Sequence, residues 1–150
     1  MSSDDQRYKG FKPVKMDPKF RVSIQPSWRP DAGDPLFLQF SKRHEMPVVK
    51  VLTQEAYTEK VDRIKGSDKT PVAKDELLGK LAMLCREATL NDQGKLLVPK
   101  DLSEKAGISA DSDVMLAGRG NYFEIWSGEN FDKVLEIESG KKDDDDLGIF

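Results

Sequence analysis

The sequence predicts an α+β protein that is mainly β with short α-helices and is built from two copies of one unit. Short segments alternate apolar and polar residues with a period of two, as half-buried strands do. Two longer segments carry helix-capping residues and helical spacing. Both patterns recur with an offset of 74 positions along the 150-residue chain. Strands and helices of one unit are therefore expected twice.

Composition limits the classes of function. No apolar run approaches the roughly 18 residues of a membrane span and the N-terminus lacks a signal-peptide core, so we expect a soluble cytoplasmic protein with no membrane contact. Cys85 and His44 are the single residues of their kinds, which excludes an internal disulfide. Their small number also argues against a metal centre and against a Cys–His nucleophile. We therefore expect no enzyme, no metal, no cofactor and no small-molecule substrate.

The first copy is predicted over residues 7–66, after a disordered N-terminus at 1–6. Pro13 predicts that its first strand lies at a sheet edge, because proline cannot donate to a ladder. Asp17, followed by proline, predicts a turn into the strand "RVSIQ". The strands "PLFLQF" and "MPVVKVL" are predicted on either side of a loop, "SKRHE". Thr53 as N-cap and Gly66 as stop signal predict the closing helix.

The second copy is predicted over residues 77–138, after a polar linker at 67–76 and before an acidic tail at 139–150. Its apolar beginning, Leu77–Leu84, is expected to end a helix that feeds a strand. A strand "GKLLVP", a short helix "KDLSEKAG" and the strands "DVMLAG" and "YFEIW" follow. Ser127 predicts the N-cap of the last helix.

The offset of 74 holds on both flanks of the unit. It matches turn, strand and helix positions, namely Asp17 with Asn91, Arg21 with Lys95, Val22 with Leu96, Val49 with Phe123, Glu55 with Glu129, and Val61 with Leu135. A unit of roughly 60 residues has little core of its own. We therefore expect the two copies to be half-barrels that bury their apolar faces against each other in one pseudo-two-fold barrel.

Charge is unevenly placed, although the net charge is only −3. The segment Arg7–Arg21 has six bases and one acid, for a net charge of +5, whereas Asp143–Asp146 is a run of acids. This asymmetry is typical of a protein that binds a polyanion and has a solvating tail. Lysines that only protect an exposed strand edge are the alternative.

Two features together resemble a known family. An acid is followed four residues later by a base and then by an apolar strand that ends in proline, and this pattern is doubled in "MDPKFRVSIQP" and "NDQGKLLVP". With "YFEIWSGENFDKVLE" closing the second copy, the chain resembles the MraZ family, the two-copy bacterial branch of the AbrB-like, swapped-hairpin superfamily. The resemblance covers about Lys9 to Glu138 and is stronger in the second copy. It implies tandem swapped-hairpin half-barrels with a longer helix after each copy.

The resemblance also implies a function. Members of the family are sequence-specific, DNA-binding transcriptional regulators of the division and cell-wall gene cluster, including their own promoter. They act as ring-shaped homo-oligomers on direct repeats of double-stranded DNA, so the protein is expected in the cytoplasm at the nucleoid. Their DNA contact is attributed to an Asp-x-x-x-Arg signature, which corresponds here to Asp17 with Arg21. The second signature departs from the pattern, with Asn91 and Lys95.

This departure predicts unequal copies. Lysine lacks the planar fork of arginine, so we expect Arg21 to supply sequence specificity and Lys95 to meet phosphate as a point charge. Phe20 stands where the second copy has Gly94, which predicts a different type of turn in the first copy. The predicted DNA-binding residues are Arg21, Lys19, Asp17, Lys15, Lys12, Lys9, Lys95 and Asn91.

Two other functions stay open at this point. The weakened second signature fits a ring-forming scaffold or partner-binding module that has lost specific DNA binding. An antitoxin of the same superfamily is the other, but such proteins usually have one copy per chain and a long toxin-wrapping tail. This chain has two copies and a tail of roughly ten residues.

Overall fold

The computed structural model describes residues 6–140 and 145–150. Its strands are β1 (Phe11–Lys15), β2 (Arg21–Ser23), β3 (Leu36–Arg43), β4 (Met46–Thr53), β5 (Cys85–Ala88), β6 (Lys95–Leu97), β7 (Asp113–Gly118) and β8 (Tyr122–Ser127). Its helices are α1 (Gln54–Lys65), α2 (Pro71–Leu84), α3 (Lys100–Lys105) and α4 (Gly128–Ser139), with 3-10 turns at Pro26–Trp28 and Asp145–Leu147. The predicted α+β class is confirmed. Most of the N-terminus predicted to be disordered and part of the predicted acidic tail, 141–144, lie outside the described residues.

Six strands form an antiparallel sheet in the order β1-β7-β8-β4-β3-β5. Its outer strands are exchanged between the copies, since β1 of the first copy pairs with β7 of the second and β5 pairs with β3. The strands β2 and β6 pair with each other in a separate two-stranded ribbon. The strands are thus exchanged between the copies as the resemblance implies, and β1 with Pro13 lies at the sheet edge as predicted. The predicted barrel is wrong, because the strands of the described residues form an open sheet and a separate ribbon rather than one closed barrel.

The long helices of the two copies correspond in length, position and N-cap. Both α1 and α4 have 12 residues, and their first residues lie 74 positions apart. Thr53 Oγ1 accepts the Ala56 amide at 3.0 Å, and Ser127 Oγ accepts the Asn130 amide at 3.1 Å. Both predicted N-caps are therefore confirmed.

The main core lies between the ribbon and the sheet. It includes Val22 and Leu96 of the ribbon, both fully buried, together with the aliphatic side chains of β3, β4, β7 and β8. Trp28 packs on Phe123 with a ring-centroid distance of 5.1 Å. A smaller cluster that contains Trp126 and Phe131 lies beneath α4 on the opposite face. Large aromatic rings thus fill both interfaces between layers, where they contribute most to burial.

A buried carboxylate in β8 is connected to α4 through an arginine that binds both. Glu124 is fully buried and accepts hydrogen bonds from Arg43 Nε at 3.0 Å, Arg119 Nε at 2.8 Å and Trp126 Nε1 at 3.0 Å. Arg119 also donates from both terminal nitrogens to Glu138, at 2.6 and 2.8 Å. A buried charge is tolerated only when it is paired and hydrogen-bonded in this way.

The predicted "SKRHE" loop is wrong, because the hairpin is tighter. Strand β3 continues to Arg43 and β4 begins at Met46, so the turn has only two residues. His44 and Glu45 both have positive φ, at 53° and 64°. Two positive φ angles match the twist of the flanking strands. The sequence did not predict this turn because it lacks the glycine or asparagine that usually occupies such positions.

The loop predicted for residues 67–76 is also wrong in its second half, where α2 begins at Pro71. Thr70 Oγ1 accepts the Ala73 amide at 3.1 Å, and proline stands at the first helical position. Threonine followed by proline is a helix-start signal that the prediction overlooked. With 14 residues α2 is the longest helix of the described chain, in which none is long and apolar enough to cross a membrane.

Candidate nucleic-acid interface

The ribbon of β2 and β6 presents four side chains away from the core. Val22 pairs with Leu96 and both point inward, so the alternation of the strands turns their neighbours outward. The pairing continues past the strands, because the Ile24 amide donates to Gly94 O at 3.0 Å and the Val98 amide to Phe20 O at 2.9 Å. The outward residues are Arg21 opposite Leu97, and Ser23 opposite Lys95.

Asp17 organises the turn that enters β2. Its Oδ1 accepts the backbone amides of Lys19 and Arg21, both at 2.8 Å, and its Oδ2 accepts Arg21 Nε at 2.9 Å. Burial alone would raise the pKa of Asp17, but these hydrogen bonds and the charge of Arg21 hold it below its ordinary value. The carboxylate therefore stays ionised and fixes one edge of the guanidinium. The side chain of Arg21 remains 34% exposed.

Asn91 organises the second turn in the same way. Its Oδ1 accepts the backbone amides of Gln93 and Lys95, both at 2.9 Å. The backbone bonds also correspond, since the Asn91 amide donates to Lys95 O at 3.0 Å and the Asp17 amide to Arg21 O at 3.0 Å. The second copy lacks an equivalent of the hydrogen bond between the Asp17 and Arg21 side chains, and Asn91 carries no negative charge. Among the described residues, the ammonium group of Lys95 has no ion pair.

The predicted difference in turn type is wrong. Phe20 has φ of 61° and Gly94 has φ of 75°, so both residues adopt the left-handed conformation. The amides of Phe20 and Gly94 donate to Asp17 O and Asn91 O at 3.1 and 2.9 Å, respectively. A left-handed residue other than glycine costs about 1–2 kcal/mol. Packing of the Phe20 ring against the main core offsets this cost, which the sequence pattern alone did not indicate.

Arg29 is a cation beside the ribbon that the sequence pattern did not indicate. Its Nε donates to Ile24 O at 2.7 Å, and its guanidinium lies over Gly94. The offset of 74 places Ser103 on Arg29, and Ser103 Oγ donates to Val98 O at 3.2 Å. The two side chains therefore support equivalent carbonyls of the ribbon. The sequence carries no signal for this role of Arg29, because an arginine aligned with a serine is recognised as equivalent only once both contacts are known.

The two ends of the ribbon differ in charge. A surface pocket of about 340 Å³ beside the second turn is lined by Arg29 but also by three acids, Asp31, Asp34 and Asp92. Within residues 15–21 the first turn has three bases, Lys15, Lys19 and Arg21, and one acid, Asp17, while Asp113 of β7 pairs with Lys15 across the sheet. Acidic side chains repel a polyanion, and basic side chains attract it. The end that carries Arg21 is thus the more favourable one for phosphate.

The structure brings only part of the predicted site together. The ribbon and its turns unite Asp17, Lys19, Arg21, Asn91 and Lys95. The predicted lysines of the first strand are spread along it instead, because at about 3.3 Å per residue Lys9 lies roughly 25 Å from the turn along the chain.

The lysines of β1 also face different ways. Lys12 shares its face with Val14 and Met16, which pack on the core, while Lys15 shares the opposite face with Phe11. Only Lys15 directly precedes the ribbon turn, two residues before Asp17. Lys12 therefore forms no single basic surface with Arg21, and Lys9 precedes the strand at a distance from the turn.

Comparison with known proteins supports the resemblance. The sequence model of a family described as "MraZ protein, putative antitoxin-like" matches residues 82–147, which contain most of the second copy. A transcriptional regulator MraZ of an Azoarcus species is 29% identical over 133 residues, 86% of each chain. Proteins of the same name from Dehalococcoides mccartyi and a Ruegeria species are 28% and 24% identical, over 79% and 91% of this chain and over 80% and 86% of their own. The predicted resemblance to the MraZ family is confirmed.

Proposed function

We propose, on the premise that the chain is a MraZ-family protein, that it is a DNA-binding regulator of transcription. The relatives that match most of its length are named transcriptional regulators. The observation that carries the proposal for this chain is the Asp17–Arg21 pair, held at 2.9 Å at the exposed end of a two-stranded ribbon. A two-stranded β-ribbon is one of the two elements that the major groove admits.

Arg21 is the residue that reads sequence in this proposal. Asp17 occupies only its Nε, so the two terminal nitrogens have no partner among the described residues. Those nitrogens suit the O6 and N7 acceptors of a guanine edge. Because the carboxylate fixes the guanidinium plane before binding, less side-chain entropy is lost on contact.

Lysines next to the ribbon supply affinity rather than specificity. Lys19, Lys15 and Lys95 meet phosphates and release counterions, so binding weakens as salt rises. Asn91 has the supporting role of holding the second turn, since its side chain carries no charge. Lys12 and Lys9 extend the basic segment along the sheet edge and add only long-range attraction.

One ribbon is a small recognition surface, and repetition would compensate for it. In the proposal the protein forms a closed ring of identical chains that meets direct repeats in its own promoter and regulates the division and cell-wall cluster. Several weak contacts then gain affinity through effective concentration. The resemblance to the family and the small size of the ribbon support this part of the proposal.

The test is a titration of the full chain against labelled duplex from its own upstream region, with a scrambled duplex beside it, at two salt concentrations. We expect preference for the upstream duplex, weaker binding at the higher salt, and a loss of about 1–3 kcal/mol of discrimination in Arg21→Ala. Lys105→Ala, an exposed change on α3, is the matched control and should bind as the parent does. Unchanged discrimination in Arg21→Ala would contradict the proposal.

A ring-forming scaffold is the second candidate. It is favoured by the second ribbon end, where Lys95 replaces arginine and three acids line the neighbouring pocket. If both duplexes bind equally poorly while the protein still sediments as an oligomer, this candidate replaces the regulator.

A further inference from the structure

An open groove of about 460 Å³ runs between α1 and α2. Its base is aliphatic and includes Leu77 and Leu81, which are 37% and 8% exposed. Gln39 of β3 also lines it, and the Gln39 Oε1 atom is buried without a hydrogen-bond donor in the described structure. Four cations line the same groove, namely Lys60, Arg63, Lys69 and Lys80.

The positive charge of this groove is not compensated. None of its lining residues is acidic, and none of the four cations has an ion pair among the residues that the structure describes. Burial, together with the neighbouring charge of Arg63, lowers the pKa of Lys60. An occupant that is both anionic and apolar would neutralise the rim and cover the aliphatic base.

The chain itself contains a segment with this chemistry. The segment Asp143–Phe150, "DDDDLGIF", has four consecutive acids followed by three large apolar residues within four positions. Leu147 is 74% exposed and Ile149 is 63% exposed. Neither lines the groove of its own chain.

We propose that the groove between α1 and α2 of one protomer binds the segment Asp143–Phe150 of a second copy of this chain. The acids meet the cations at the rim, and Leu147 and Ile149 cover the aliphatic base. The exposure of these two side chains in the single chain favours a second copy as their partner. This contact goes beyond DNA binding and does not depend on it, because neither element belongs to the ribbon.

The first test is a fluorescence-polarisation titration of a labelled peptide, DDDDLGIF. The full-length chain carries Leu147→Ser, Ile149→Ser and Phe150→Ser, so that its own segment does not compete. We expect saturable binding that salt weakens, and binding at least about tenfold weaker after Arg63→Glu with Lys80→Glu. Both of these side chains are exposed, so the fold should persist, which circular dichroism checks.

The matched control makes the same charge change elsewhere. Lys105→Glu with Lys133→Glu, exposed positions on α3 and α4, should bind the peptide as the parent does. A peptide with the acids replaced by lysines should fail to bind. Equal binding by the Arg63→Glu, Lys80→Glu chain, or no binding by the parent, would overturn the proposal.

The second test distinguishes a second copy from the same chain. The serine-substituted chain has an intact groove, and the Arg63→Glu, Lys80→Glu chain has an intact segment. We expect sedimentation velocity to show a heterocomplex on mixing that neither variant forms alone. If mixing creates no new species although the peptide binds, the segment occupies the groove of its own chain and the second-copy assignment is wrong. If both variants still bind DNA, the outcome of this test is independent of the proposed function.

Discussion

At the residue scale, glycine at position 94 of the ribbon avoids two costs. Gly94 has φ of 75°, and a Cβ there would displace the Arg29 guanidinium, which donates to Ile24 O. Gly94→Ala should therefore lower the free energy of unfolding by at least about 1 kcal/mol. Gly79→Ala in α2 is the control, because a Cβ there meets nothing within 4 Å and alanine favours helix by about 0.5–1 kcal/mol. Urea denaturation of both variants tests the pair, and equal effects would refute the argument.

Asp17 has two roles, since it accepts the backbone amides of the turn and also supplies a negative charge beside Arg21. Asn91 keeps the amide contacts of the turn but not the charge. Asp17→Asn should thus preserve stability within about 0.5 kcal/mol while reducing the preference for the upstream duplex by about tenfold, since Arg21 loses its charged partner. Asp17→Ala should also destabilise the turn. The measurements are urea denaturation and competition binding; full retention of the preference in Asp17→Asn would show that the charge is not needed.

At the scale of elements, α2 depends on its cap. Thr70 Oγ1 satisfies the Ala73 amide at the start of this helix, which packs on α1. Thr70→Ala should lower the free energy of unfolding by about 1 kcal/mol. Thr58→Ala, at an exposed position of α1, changes the same atoms without removing a cap and should not destabilise. Thermal denaturation compares the two, and similar losses would mean that the cap contributes nothing.

The elements also show how much of the structure could be predicted from the sequence. Alternation and caps predicted the strands, α1 and α4, and the family resemblance predicted the exchange of outer strands. Arg29 was missed because its contact with Ile24 O depends on tertiary position. The left-handed Phe20 was missed for a related reason, since core packing overrides the preference for glycine. The two-residue turn at His44 and Glu45 was missed because neither residue signals it.

At the scale of the whole molecule, acid should weaken the link between α4 and the hairpins. The paired nitrogens of Arg119 lower the pKa of Glu138 from 4.5 to about 2. A carboxyl group whose pKa is lower in the folded than in the unfolded protein stabilises the fold at pH values above its unfolded pKa. This contribution is lost as the pH falls from about 4.5 towards 2.

The variant Glu138→Gln isolates that contribution. Asp101, paired with Arg86, has its pKa lowered to about 2 and titrates in the same range, so the parent alone cannot separate the two. In urea denaturation between pH 5 and pH 3, we expect Glu138→Gln to be less stable at pH 5 and to lose less stability on acidification. Parallel pH profiles for parent and variant would rule out the role of this pair.

The ribbon has a pseudo-two-fold axis but unequal ends. A symmetric ribbon could lie on a duplex in either of two opposite orientations with the same energy. Here one end has an ionised Asp17 against Arg21, and the other has a neutral Asn91 with a neighbouring acidic pocket. The duplicated unit has thereby acquired polarity, so a chain that binds DNA through this ribbon distinguishes one direction along the duplex from the other.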